Sequence, residues 1–134
     1  MAKFPTAEWT QAFMEKLNND AQYAEIARNW EGDICFAIEP ERKVTTPLWI
    51  YLDLWHGKCR QAIFQDKPLD KKPAFTLSAS YGNFVKVLRG DIHPMQAMMT
   101  RKLQVQGNMS VIMRNVPAVL DFVRCARETT DEVV

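Results

Sequence analysis

No stretch of this chain approaches the roughly 18 consecutive apolar residues that a bilayer-spanning helix needs. Its first residues, MAKFPTAEWTQAF, are broken by polar side chains where a secretory signal carries an unbroken apolar core. A transmembrane helix is therefore excluded, and export is not expected. Charge of one sign is missing as well. Lys and Arg number 17 against 16 Asp and Glu, a net charge of +1. That is too even a balance for the field that draws proteins to nucleic acid, so no nucleic-acid partner is expected. Cysteine is scarce. Cys35, Cys59 and Cys125 are odd in number, widely spaced and form no CxxC. Neither a disulfide framework nor a zinc site fits that pattern, and a reducing compartment does. The final TTDEVV matches no common retention or peroxisomal address, which leaves a cytoplasmic location as the expectation.

Catalytic signatures are equally absent. The chain has no GxSxG, HExxH, P-loop or GxGxxG. His56 falls in a turn and His93 directly before Pro94, and structural roles suit both. Asp91 and His93 make two ligands at most, where a metal needs three or four. Ser78 and Ser80 have no base nearby in sequence. No enzyme activity, no cofactor and no metal site is expected.

What is present is an ordinary globular composition, 134 residues that are 47% hydrophobic and 25% charged. That length suits one domain, 1–134, and folding hides roughly two-thirds of its surface, enough for a core with a modest cavity. Thr6 can cap a helix bearing Trp9, Phe13 and Leu17. Asn18 to Asp20 break it and cap a second, whose Tyr23, Ile26, Ala27 and Trp30 recur at helical spacing until Gly32 stops it. The period then falls to two. Ile34, Phe36 and Ile38 mark a strand, and Leu48 to Trp55 a longer one with Trp49, Tyr51, Asp53 and Trp55 on its second face, which loops or helices should partly cover. His56 to Lys58 form a hairpin turn into a returning strand, Cys59 to Gln65. A charged loop with Lys67, Lys71 and Lys72 precedes a fourth strand, Ala74 to Ser80. Ser80 caps a helix with Tyr81, Phe84, Val85 and Leu88 that Gly90 ends, and Pro94 opens another with Met95, Met98 and Met99. Leu103 and Val105 alternate in a short fifth strand, free to pair with any edge. Asn108 caps a last helix with Met109, Ile112, Met113, Val116, Leu120 and Val123, broken or kinked at Pro117, and the residues after it should fray. The order predicts an α+β (α/β) fold: a five-stranded, mainly antiparallel sheet with about five helices on one face.

The run FTLSASYGNFVKVLRGDIHPMQAMMTRKLQVQGNM resembles the C-terminal half of the sterol carrier protein type 2 family. Phe84, Gly90, Pro94, Met98, Met99, Lys102, Leu103, Val105, Gly107 and Asn108 match that family's pattern at fixed spacing. Many members carry Gly where this chain has Arg101. The first half matches in element order alone. The resemblance implies an apolar tunnel between sheet and helices, and binding of fatty acids, fatty acyl-CoA or sterol-like lipids without a catalytic step.

Four of the seven methionines lie between Gly90 and Met109. Methionine fills irregular gaps in cores, and it also lines walls that must accept several shapes. The candidate wall is Phe84, Leu88, Met95, Met98, Met99, Val105, Met109, Ile112, Met113 and Val116. Burial gains about 0.8 kcal/mol per methylene, so about ten methylenes give ~8 kcal/mol before ordering costs. The expected function is thus non-enzymatic binding and transfer of lipids, with a lipid ligand as partner. Transient membrane contact, through Arg101, Lys102 or the lysine loop, and a homodimer are further expectations. The alternative is an interaction or dimerisation domain of the same fold, accessory to a lipid-metabolising enzyme, with its interior filled by side chains.

Overall fold

A computed structural model describes residues 2–134. Two helices open it, α1 (Ala7–Asn19) and α2 (Ala21–Ile26), after a short strand β1 (Lys3–Phe4). Thr6 Oγ1 accepts from the Trp9 backbone N–H at 3.1 Å and caps α1. Asp20 Oδ1 accepts from that of Tyr23 at 2.9 Å and caps α2. Trp9, Phe13 and Leu17 recur every fourth residue and are all buried, so one stripe of α1 faces inward. The second helix is shorter than its spacing predicts. It closes at Ile26, and Gly32 is not its stop. Trp30 still reaches the core, but from a turn: its indole N–H donates to the Gly32 carbonyl at 2.8 Å, and its own carbonyl accepts from His56 N–H at 2.7 Å.

The main sheet contains β2 (Ile34–Glu39), β3 (Leu48–Trp55), β4 (Lys58–Gln65), β5 (Phe75–Ser80) and β6 (Gln104–Gln106), in the order β4-β3-β2-β5-β6. All neighbours are antiparallel except β2 and β5. That parallel pair puts Ile34 beside Phe75, Phe36 beside Leu77 and Ile38 beside Ala79, and so builds the centre of the inner face from two alternating strands. The late strand β6 settles antiparallel on β5. Between β3 and β4, His56 and Gly57 both have positive φ, 49° and 78°. These are the values of the two-residue turn whose twist matches a hairpin.

The remaining helices are α3 (Tyr81–Arg89), α4 (Pro94–Met99), α5 (Met109–Arg114) and α6 (Val116–Thr129). Ser80 and Asn108 cap α3 and α5, and Gly90, at φ 82°, closes α3 in the left-handed region. The predicted last helix is broken before Pro117, which sits in the first turn of α6 where its missing N–H costs nothing. Among the described residues six helices therefore replace the expected five. Helices α1 and α3 pack on the sheet, and α6 crosses α1, α2 and α3.

The outer sheet face is partly covered by the charged loop. Lys71 Nζ lies 4.1 Å from the centre of the Tyr51 ring, and the Tyr51 hydroxyl donates to Asp33 at 2.7 Å. Trp55 is left 40% exposed, stacked on His56 with Arg60 at 4.9 Å. The C-terminal residues do not fray. Strand β7 (Glu132–Val133) pairs in parallel with β1. The Tyr81 hydroxyl donates to the Val134 carbonyl. Trp9, fully buried, donates its indole N–H to Thr130 Oγ1 at 2.8 Å.

These contacts are open to measurement. Thr130→Val should leave the Trp9 indole without a partner and cost about 1–3 kcal/mol in chemical denaturation; a frayed end would show no change. Arg101 holds φ 61°, a conformation that strains a side chain but not glycine. Arg101→Gly should therefore stabilise the protein by roughly 0.5–1 kcal/mol, and Arg101→Val should destabilise it, both read from denaturation midpoints.

Candidate lipid site

Between the inner sheet face and the helices lies a hollow. Its floor is Ile34 and Phe36 of β2, Leu54 of β3, and Phe75 and Leu77 of β5. Its walls are Phe84, Val87 and Leu88 of α3, with Pro94 and Met98 of α4. Ile112 of α5 and Ala118, Val119 and Phe122 of α6 form its roof. Phe4, Trp9, Tyr23 and Trp30 close the remaining side. The cavity volume is ≈ 80 Å³, about half the ~150 Å³ of an apolar cavity that admits benzene. In the structure this space is a hollow. Among the described residues no Lys, Arg, Asp, Glu or His lines it.

Of the ten wall candidates, Phe84, Leu88, Met98 and Ile112 line the hollow. Met95, Val105 and Met109 are half-buried and pack against the core beyond the lining, and Val116 is half-buried at the start of α6. Met99 and Met113 stand in solvent, 76% and 53% exposed. The reason is rotational. Pro94 and Ala97 are the buried residues of α4, and Ile112 that of α5. Each following residue turns about 100° round its helix, so Met99 and Met113 are carried off the inner side. Trp30, Phe36 and Phe75 line the hollow as well, though none is among the ten candidates. Their signal was the period-two run of large side chains, which marks an inward face but not a hollow beneath it.

A charged cluster holds the roof. Arg124 on α6 donates to Asp20 at 2.6 Å and to Asp121 at 2.8 Å, and both its Nη1 contacts to Glu128 are 3.1 Å. Lys16 adds pairs to Asp20 and Glu128 at 3.0 and 2.8 Å, and Gln22 donates to Asp121 at 2.7 Å. The Arg124 guanidinium beside Asp20, helped by the Tyr23 N–H, holds that carboxyl well below the usual carboxylate range. On the other flank, Arg127 Nε donates to the Leu88 carbonyl at 2.9 Å and ties α6 to the end of α3. Asp20, Asp121 and Cys125 lie close enough together to suggest a metal triad. Arg124 already occupies both carboxylates, which leaves no room for a cation's charge there.

Among the described residues no Cys, His or Ser lines the hollow. Burial pushes the thiols of Cys35, Cys59 and Cys125 up to about 11, so all are protonated at neutral pH. His93 Nδ1 accepts from Met95 N–H as the cap of α4, and His56 pairs with Glu31 at 2.6 Å. Ser80 is spent on the cap of α3.

Because the folded Asp20 carboxyl titrates below its ordinary 3.8, its contribution is present above about pH 5 and is lost as pH falls below 4 toward the folded value. Arg124→Gln should cost about 1–3 kcal/mol at pH 7. It should also flatten the loss of stability between pH 5 and pH 3, read by denaturation at a series of pH values. An unchanged acid limb would show that the cluster does not hold α6.

Known proteins share this geometry. The model of the SCP-2 sterol transfer family matches residues 11–119. A crystal structure of sterol carrier protein 2 is 31% identical, covers 92% of this chain and 96% of its own, and superposes with a TM-score of 0.84. The solution structure of a conserved hypothetical protein from Thermus thermophilus, described as possibly a sterol carrier protein, is 30% identical, over 93% of this chain and 88% of that one, also with a TM-score of 0.84. The apo form of sterol carrier protein 2 from Yarrowia lipolytica shares the fold at 20% identity, over 88% of each chain, with a TM-score of 0.57. No curated protein sequence matches the chain. A sheet roofed by helices over an apolar hollow, and a family match that runs from α1 into α6, lead to one assignment: this chain belongs to the SCP-2 sterol transfer family.

Proposed function

We propose that this protein is a non-enzymatic, single-domain carrier that binds an apolar lipid between its sheet and α6 and moves it through the cytoplasm. The observation that carries this reading is the hollow itself, apolar on every side and bounded by elements of unequal firmness. One end of α6 is held by Arg124 and Arg127. The other begins at Asn115, which makes no side-chain cap bond to it. Helix α5 has six residues, with Ile112 alone buried. Short elements with few buried contacts open at low cost. Opening at α5 and the start of α6 would widen ≈ 80 Å³ into a channel for a hydrocarbon tail. Methionines Met95, Met98 and Met109, soft and unbranched, would follow the ligand's shape.

Fatty acids, fatty acyl-CoA and sterol-like molecules are the candidate cargo. The absence of charge from the lining means that a charged headgroup stays at the surface, since burying an unpaired carboxylate costs several kcal/mol.

The test is displacement of a fluorescent fatty acid by palmitate. Saturable binding at micromolar concentrations is expected. Ala118→Phe places a ring in the hollow and should weaken binding at least tenfold, with an overpacking cost of about 1–3 kcal/mol in stability. Met99→Gln, on an exposed side chain, should leave affinity within about twofold. No saturation at tens of micromolar would refute the carrier reading.

A further inference from the structure

The near-neutral net charge hides an uneven distribution. Of 16 Asp and Glu, only Asp91 falls between Phe75 and Leu120, a stretch that holds five Lys and Arg. From Ile92 to Leu120, through α4, β6, α5 and the first turn of α6, there is no acid. This is the pliable wall of the hollow. Met98, Leu103 and Ile112 line the cavity from it. The residues beside them are turned to solvent: Met99 and Met113, 76% and 53% exposed, with Arg101, Lys102 and Arg114. Among the described residues none of these three cations forms an ion pair. Asn83 Nδ2 donates to the Lys102 carbonyl at 3.2 Å and fixes this turn against α3, where exposed Lys86 follows one turn along. Helix α3 and strand β5 carry no acid either.

Exposed methionines among unpaired cations, on a wall without carboxylates, are complementary to one kind of surface: anionic headgroups above an apolar layer. Building on the carrier reading above, we propose that the outer side of the α4–β6–α5 wall docks on an anionic bilayer. Arg101, Lys102 and Arg114 meet the headgroups, and Met99 and Met113 enter the apolar layer beneath. Nucleic acid would engage the cations but offers no such layer to methionine. The rest of the chain, with twelve Lys and Arg against fifteen Asp and Glu, is repelled by the same membrane, which sets the orientation. Docking this way lays the short elements that open against the bilayer, and a lipid tail passes between membrane and hollow without crossing water.

Co-sedimentation with vesicles of phosphatidylcholine and phosphatidylserine, the latter at roughly one third, tests the face. Arg101→Gln, Lys102→Gln and Arg114→Gln together should weaken binding about a hundredfold, at about fivefold per cation. Met99→Gln with Met113→Gln should weaken it about tenfold. Lys67→Gln with Lys72→Gln, exposed cations of the charged loop, should stay within about twofold. All three variants should keep their affinity for palmitate, measured without vesicles, within about twofold, which also shows that they are folded. If the methionine variant binds vesicles unchanged, charge alone is at work, as for a nucleic-acid site, and the docking face is overturned. Equal weakening by the lysine-loop variant overturns it as well. So does an absence of vesicle binding beside a dimer that the same substitutions dissolve, which gives the face to a second copy. Each of these outcomes leaves the carrier reading intact. Vesicle binding by an unsubstituted protein that takes up no palmitate refutes the carrier reading and leaves the docking face standing.

Discussion

The whole arrangement depends on keeping a helix near a sheet without letting it collapse onto it. Helix α6 is held from its sides: by Arg124 to the α1–α2 junction, through Asp20 and Asp121, and by Arg127 to the end of α3. Charge-assisted hydrogen bonds of this kind have fixed lengths and directions, where apolar packing has neither. They set where the helix lies, and α6 can span the space above β2 and β5 instead of filling it. A purely apolar roof would pack down until the void closed, since interiors tend to crystal-like density. The hollow is therefore a consequence of polar contacts that lie outside it.

The same division of labour separates rigid from pliable wall. The floor belongs to a sheet whose central strands pair on both sides, and neighbouring hydrogen bonds leave it little freedom. The opposite wall is assembled from α4 and α5, six residues each, joined through the three-residue edge strand β6. The lining methionine, Met98, belongs to this second wall, where shape must adapt, and Phe36 and Phe75 to the first, where it need not. An apolar lining binds by excluding water and gives little directional selectivity.

Much of the architecture was legible in the residues. The caps at Thr6, Asp20, Ser80 and Asn108, the glycines of the hairpin turn and of the α3 stop, and the break ahead of Pro117 all stand where the sequence reading expects them. So does the membership that the Phe84–Asn108 pattern suggested. The site was legible only in part. Helical spacing placed Phe84, Leu88, Met98 and Ile112 on an inward side, but it could not fix the rotation of six-residue helices, and Met99 and Met113 turned out to solvent. In a helix under two turns long, one residue of phase error moves the whole face.

The features set by the sequence alone are those whose partners lie within a few residues: caps, turns, strand alternation, and the balance of charge that argues against nucleic acid. Tertiary structure decided whatever joins distant segments. The parallel pairing of β2 with β5 is one case, and the bond from Trp9 to a residue 121 positions later is another. The clamp from Arg124 to Asp20 spans 104 positions. Local sterics and hydrogen bonding act along the chain and can be read there. A void between layers is a property of how far apart two surfaces are held, and no single segment contains that distance.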